Sequence, residues 1–331
     1  MVKLKQLVFF AKKFLFIGVT VCLLGSCKTA KETVVANPEK PDVLLFTRGT
    51  AIFETVEESE VVYTLENIDT TTTIGLYQYD DLLEVKENML LFAADQFDAL
   101  LNQYPNSEFY HKSLYNLILI HRMMADERGE RYYLDLMLKS NANDREASGK
   151  TGLMASPYAN FKNEASNRLV DIFIGKGNFE KALEYKQLNE KYSYEHFCGN
   201  AYAAADLRSV TQYAKIYYGL GETKKAERLL LSNLFNNTLS DNSEVVRLAL
   251  ELLKKEYDMA FLKTSFHTAM NNGYTKRTTD GRHDDYYIKY LNIEIHVPFW
   301  NEKAVSDDES IKAELKNMLE KSTFYALLQE Q

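Results

Sequence analysis

From Leu82 to Asn272 apolar residues return every three or four positions, the period that lays one side of a helix on a core. In Asn88 to Tyr104 that side is Leu91, Ala94, Phe97, Leu101 and Tyr104, and in the next segment Leu114, Leu117, Ile118 and His121. Ser243 to Tyr257 does the same with Val246, Leu250 and Leu253, and Asn271-Asn272-Gly273 closes the run as a helix C-terminus does. Only Pro105 and Pro157 interrupt it, both at helix boundaries. The pattern changes at both ends. Val43 to Thr73 is richer in β-branched residues and predicts short strands at VLLF (43–46) and VVYTL (61–65), with Thr70 to Thr73 extended. Tyr274 to Asp285 is polar with an Asp280-Gly281 turn signal, and Tyr287 to Val297 alternates as a strand in a small hairpin. Ser306-Asp307-Asp308-Glu309 reads as a capping box opening a last helix with Ile311, Leu315, Met318 and Leu319 on one face. The fold class is therefore mainly α, with minor β elements near both ends of the mature chain.

Two stretches of the helical run echo each other. Gly177-Asn178-Phe179-Glu180-Lys181-Ala182-Leu183-Glu184 returns 44 residues later as Gly221-Glu222-Thr223-Lys224-Lys225-Ala226-Glu227-Arg228. Each follows a helix carrying a paired aromatic or aliphatic site, Phe173-Ile174 or Tyr217-Tyr218. Gly177 and Gly221 permit a tight turn between antiparallel helices, and the small Ala182 and Ala226 let the two backbones approach. These segments resemble the tetratricopeptide (TPR) repeat, lengthened by about ten residues in a loop inserted at Ser193 to Leu207. Stepping 88 residues upstream of Ala182 finds Ala94, with Phe97, Leu100 and Tyr104 matching Tyr185, Leu188 and Tyr192. The slot between them, at Leu138, does not match, so a unit there is irregular. Phe97 to Ile120 also resembles the helix–Tyr-Pro–helix phrase of BamD-type periplasmic TPR lipoproteins. The resemblance implies a TPR-like α-solenoid of antiparallel helix pairs, whose concave face holds a peptide or another protein.

The N-terminus carries an address. Lys3, Lys5, Lys12 and Lys13 precede an apolar stretch, Phe14 to Leu24, too short to span a bilayer and right for a signal peptide. Leu24-Gly25-Ser26-Cys27 resembles the lipobox of bacterial lipoproteins. That resemblance implies cleavage between Ser26 and Cys27 and acylation of Cys27, a palmitate-type anchor in the cell envelope; Lys28, which is not Asp, favours the outer membrane. The polar Lys28 to Asp42, with Pro38 and Pro41, reads as a tether. The chain thus divides into a signal at 1–26, a lipidated tether at 27–42, an extended or short-strand segment at 43–80, TPR-like helices at 81–273, and a hairpin-like segment with a C-terminal helix at 274–331.

Composition narrows the function classes. At 46% apolar and 26% charged residues the 331-residue chain has material for a packed core. Its net charge of −8 falls to −12 when the four signal lysines leave, which disfavours nucleic acid as a partner. With Cys22 lost and Cys27 lipidated, Cys198 remains alone and cannot form an intramolecular disulfide. No HExxH, GxSxG, Walker A, EF-hand or GxGxxG pattern occurs, so no enzyme, cofactor or metal site is expected. The polar clusters read first as structure: His121, whose spacings of five and six to Asp126 and Glu127 do not converge on one helix face, as a half-buried helix histidine rather than a ligand; His196 and Cys198 as a small buried thiol, with a Cys/His nucleophile as the alternative; and Arg282-His283-Asp284-Asp285 as a solvated loop, with a cation contact as the alternative. Tyr132-Tyr133, Tyr217-Tyr218 and Tyr286-Tyr287 each place one ring on the core and leave its neighbour outside. Val297-Pro298-Phe299-Trp300 seals the end of the helical array. The function expected is a membrane-anchored envelope lipoprotein that scaffolds other envelope proteins. The alternative is a glycan- or nutrient-binding outer-membrane lipoprotein, which tyrosines gathered in one pocket would favour.

Overall fold

The computed structural model describes residues 40–57, 65–149, 156–279, 283–299 and 307–330. The signal, the lipobox with Ser26 and Cys27, most of the tether, residues 61–64, the Asp280-Gly281 turn and Trp300 lie outside them. The chain divides into two units, Met1–Leu44 and Leu45–Gln331. Twelve helices, here α1 to α12, and one three-stranded sheet are described, so the fold is mainly helical.

The first helix corrects the expected strands at the N-terminal end. Pro41–Glu57 (α1) contains VLLF as helix. A short apolar run has no period of its own, and here Gly49, Phe53 and Val56, buried at helical spacing, decide the matter. Pro41 suits the first turn, where its missing N–H costs nothing. Thr70 to Thr73 is also not extended: the chain turns there, and Thr72 caps Thr73–Gln103 (α2) by accepting the Gly75 N–H at 3.0 Å. Within α2 the buried side is Leu90, Ala93, Ala94, Phe97, Leu100 and Leu101. Leu91, assigned to that side by the sequence, is 50% exposed.

Three helical hairpins follow: Tyr110–Met123 (α3) with Glu127–Lys139 (α4), Phe161–Gly175 (α5) with Phe179–Asn189 (α6), and Gly199–Gly219 (α7) with Thr223–Leu231 (α8). Each pair packs face to face, and α5 also meets α7 as α7 meets Ser243–Glu256 (α9). One turn closes all three. Ala125, Gly177 and Gly221 stand at φ of 53°, 68° and 80°. The residue after each donates its N–H back across the helix end, Asp126 to His121 O, Asn178 to Phe173 O and Glu222 to Tyr217 O, at 2.8–3.0 Å. This is the six-to-one bond of a Schellman cap, and a left-handed residue is what lets the chain make it.

Aligned on these turns, the hairpins are equivalent position by position. Ile120, Ile172 and Ile216 are all buried, and Ala182 and Ala226 are fully enclosed at the same place in their second helices. The irregular middle unit expected around Leu138 is the α3–α4 hairpin, displaced by 52 residues from the next rather than 44. Its counterpart of Ala182 is therefore Glu130, not Leu138. Glu130 is 2% exposed, and it accepts Arg122 Nε at 2.7 Å, Arg168 Nε at 2.7 Å and Arg168 Nη2 at 2.9 Å. Where the other hairpins use a small residue for close packing, this one ties α3, α4 and α5 through a charged fork. Burial pushes the Glu130 pKa up, but hydrogen bonds and charge from Arg168 and Arg122 outweigh it and hold it below the usual carboxylate range. A second shared device is an aromatic contact between the two helices: His121 meets Tyr133 at 5.0 Å and Phe173 stacks on Tyr185 at 5.3 Å. The surplus between the second and third hairpins is not a loop to Leu207. The chain re-enters helix at Gly199, so most of it extends α7 by two turns.

The rest closes the far end. Met259–Asn271 (α10) packs on the sheet and on Thr323–Gln329 (α12). The strands Thr275–Thr279 (β1), His283–Tyr290 (β2) and Ile293–Val297 (β3) form an antiparallel meander, one strand more than the expected hairpin. The β2–β3 turn places Leu291 and Asn292 both at positive φ, without the glycine that marks such turns in a sequence. Asp308–Glu320 (α11) buries Ile311, Leu315 and Leu319 as expected, but its cap is Asp307, accepting the Ser310 N–H at 2.9 Å, rather than Ser306.

The shared turn makes opposite predictions at equivalent positions. Ala125→Gly removes a strained side chain and is expected to raise stability by about 0.5–1 kcal/mol, whereas Gly177→Ala lowers it by about 1 kcal/mol; urea unfolding reads both. Glu130→Gln is expected to cost about 1–2 kcal/mol at neutral pH, discounted because both arginines are partly solvated. Because the folded pKa of Glu130 is depressed, that contribution is present above the unfolded value and is lost as pH falls through the folded one. The gap between variant and wild type should therefore close in acid.

Candidate functional site

Three clefts lie in succession along the first helices of the hairpins. The first, of about 410 Å³, is bounded by Phe46 and Phe53 of α1, Tyr115 and Leu119 of α3, and Phe161 and Glu164 of α5. The second, about 510 Å³, sits between α5 and the extended start of α7, where Ala201, Ala204 and Ala205 leave space. The third, about 520 Å³, lies between α5, α7 and α9. Glu164 and Tyr194 belong to both the first and second, and Ala204 and Arg208 to both the second and third, so the clefts form one groove.

The turn alignment explains why. The groove is lined by Lys112, Tyr115 and Leu119 of α3, by Glu164, Asn167 and Asp171 of α5, and by Arg208, Thr211 and Lys215 of α7. These are the same three positions in each hairpin, offset by 52 and then 44 residues and spaced three and four apart, hence one stripe of each helix. Three equivalent stripes side by side make a continuous wall, mixed in character on α3 and polar on α5 and α7.

Its electrostatics are uneven. Asp171 is fully engaged, accepting Arg208 Nη2 at 2.7 Å and Gln212 Nε2 at 2.8 Å. Burial raises the Glu164 pKa against the opposing charges of Arg208 and Arg122. Gln212 is 3% exposed with no partner for its Oε1, and Thr50 Oγ1 in the first cleft is likewise buried without one. Lys186 of α6, 3% exposed, lines the second cleft; its one hydrogen bond is a long 3.5 Å contact to Asn189 Oδ1, and Tyr213 presents its ring at 5.4 Å. Burial pushes its pKa down to about 8. Sequence reasoning passed over Lys186, although a signal was present: on the turn alignment it stands where the neighbouring hairpins bury Leu134 and Leu230.

The other singled-out residues are placed as follows. Gly177, Gly221, Ala182 and Ala226 belong to the hairpin turns and seams, away from the groove lining. His121 Nδ1 meets Asp126 Oδ2 at 2.8 Å, an encounter that sequence spacing seemed to forbid; the chain leaves the helix at Met123 and turns Asp126 back. His196 Nδ1 accepts the Cys198 backbone N–H at 3.0 Å, and Cys198 is half-buried rather than buried. Asp284 pairs with Lys276 at 2.7 Å and accepts the Thr278 hydroxyl at 2.7 Å. Among the described residues no group of three His, Cys, Asp or Glu could hold a metal ion. Tyr133 is buried with its hydroxyl on Asp98, and Tyr132 points outward. Phe299 meets Tyr286 edge-on at 5.3 Å at the end of the sheet.

A further cleft of about 540 Å³ between α10 and the sheet gathers Tyr257, Phe261, Tyr274 and Tyr287. Its rings are largely committed: Tyr257 lies between Lys224 and Phe261, Arg277 covers Tyr287, and Tyr274 meets Tyr286 edge-on. The groove, built from equivalent positions of three helices, is the more extensive site.

Lys186 carries a measurable cost. Its folded pKa is depressed, so at neutral pH the buried ammonium destabilises the fold, and stability recovers between pH about 8 and about 10.5, where only the unfolded state keeps the proton. Lys186→Met is expected to raise stability at pH 7 by about 2–3 kcal/mol, an advantage that vanishes above that window; urea unfolding across pH checks it.

In comparisons with protein-family models, curated proteins and solved structures, no match to this chain is found.

Proposed function

We propose that this chain is a lipid-anchored envelope scaffold, a TPR-like α-solenoid that holds an extended polypeptide of a partner protein in the groove of its first helices. The observation that carries the reading is the repeated stripe: equivalent positions of α3, α5 and α7 line three joined clefts. A groove built by repetition suits a ligand that is itself repetitive, and a polypeptide backbone offers donors and acceptors at regular intervals. The anchor rests on the basic start, the apolar stretch and the LGSC box ending at Cys27, with three acyl chains holding the body almost irreversibly at about 0.8 kcal/mol per buried methylene. No helix among the described residues is long and apolar enough to cross a membrane. The partners would be other envelope proteins, with the outer membrane the favoured location and no enzymatic role assigned.

One experiment addresses anchor and groove together. A photo-crosslinking amino acid is placed at Ala204, in the groove, or at Glu184, on the outer side of α6, in cells fed an alkyne analogue of palmitate. The expected result is lipid label that disappears in Cys27→Ser, and polypeptide adducts from position 204 that are absent from 184. Label retained by Cys27→Ser, or adducts of equal yield from both positions, would count against the respective half of the reading.

A further inference from the structure

We propose that Lys186 is the anion receptor of the groove, taking the side-chain carboxylate of a glutamate or aspartate presented by the polypeptide bound between α5 and α7. The inference rests on the groove reading above and adds the chemistry of its middle cleft.

A leucine belongs at this position. The equivalent residues of the flanking hairpins, Leu134 and Leu230, are buried in hydrophobic seams, and the Lys186 side chain is as deeply enclosed as theirs. The residue, however, lines an open cleft, and no carboxylate among the described residues lies within ion-pair distance of its ammonium. Two of the carboxylates around it are already occupied. Glu190, on the same helix, accepts the Tyr213 hydroxyl of α7. Asp171 of α5 is held by Arg208 and Gln212 of α7. Glu164 of α5 lines the same cleft with Arg208 and Arg122 as its opposing charges, and Asp206 of α7 lies at the rim. An ammonium has three donors, and here only one is used, at the long distance to Asn189. Burying a cation without a counter-ion costs several kilocalories that a leucine would not, and the fold recovers this only if a ligand brings the missing charge.

The surroundings also select the kind of anion. Ala201, Ala204 and Ala205 open the approach from α7, leaving room for a short acidic side chain. The guanidinium of this cleft, Arg208, already donates Nη2 to Asp171, so a phosphate drawn to it would share it with that carboxylate. With Glu164 and Asp206 nearby, a dianion meets repulsion that a single carboxylate largely escapes. The chain as a whole is negative, so any preference for an acidic ligand reports a local receptor rather than general attraction.

Two capped peptides test this on the full chain in detergent, by fluorescence anisotropy: one of alternating alanine and glutamate, the other with every glutamate replaced by glutamine. The glutamate peptide should bind about tenfold more tightly, the factor that one pKa unit represents. The preference should disappear in Lys186→Gln, survive in Lys186→Arg, and weaken as pH rises past about 8. Equal affinity for the two peptides, or a preference that persists in Lys186→Gln, overturns the receptor and leaves the polypeptide groove standing. If neither peptide binds, butyrate, a monocarboxylate, decides. A rise in Tm with butyrate in wild type but not in Lys186→Gln keeps the receptor and overturns the polypeptide; no rise overturns both.

Discussion

A helix that must reverse and lie against itself needs a residue that can turn left at its end, and this fold repeats that requirement three times. Ala125, Gly177 and Gly221 supply the left-handed position, and the N–H that follows each one satisfies a carbonyl the helix would otherwise leave open. Everything downstream of the turn is set by it. It brings Ile120, Ile172 and Ile216 to equivalent buried places, and it sets Ala182 and Ala226 into their seams. It also fixes which stripe of each first helix remains uncovered. The turn at Ala125 is the costlier version, since its Cβ is strained where glycine has none.

Once the hairpins are in register, their seams and their open faces obey different rules. Seams are filled with whatever closes the gap: a small alanine twice, and once the Glu130 carboxylate held by two arginines. Aromatic pairs such as Phe173 with Tyr185 span the two helices of one hairpin, and Tyr185 reaches on to Asp135 of the previous one. The open faces vary in chemistry at constant position: Lys112, Glu164 and Arg208 alternate in charge at one place in three successive helices. Packing thus repeats from hairpin to hairpin, while the open faces differ in chemistry from one to the next.

Lys186 breaks this division, because it brings groove chemistry into a seam position. Its counterparts in the flanking hairpins are leucines, its burial is theirs, and the residue lines the cleft. Places where a local rule is broken without a compensating partner in the fold are where function is expected to reside. The tyrosine-rich cleft by the sheet differs in this respect. There Lys224, Phe261, Arg277 and Tyr286 already serve the rings as packing partners.

The sequence by itself determined the helical character of 82–272, the glycine turns at 177 and 221, the strand at 293–297 and the last helix's buried side, because each depends on local period or on a residue with special backbone freedom. It did not reveal α1, since an apolar run as short as VLLF has no period and only burial of Phe53 and Val56 made it helical. The α3–α4 hairpin was legible only as an irregular unit, because Ala125 and Glu130 replace the glycine and alanine that mark the other two, and because the spacing there is 52. The groove was wholly a matter of tertiary structure. Residues 112, 164 and 208 share a wall only after three turns have stacked their helices, and no local pattern encodes which stripe of a helix its neighbours will leave bare.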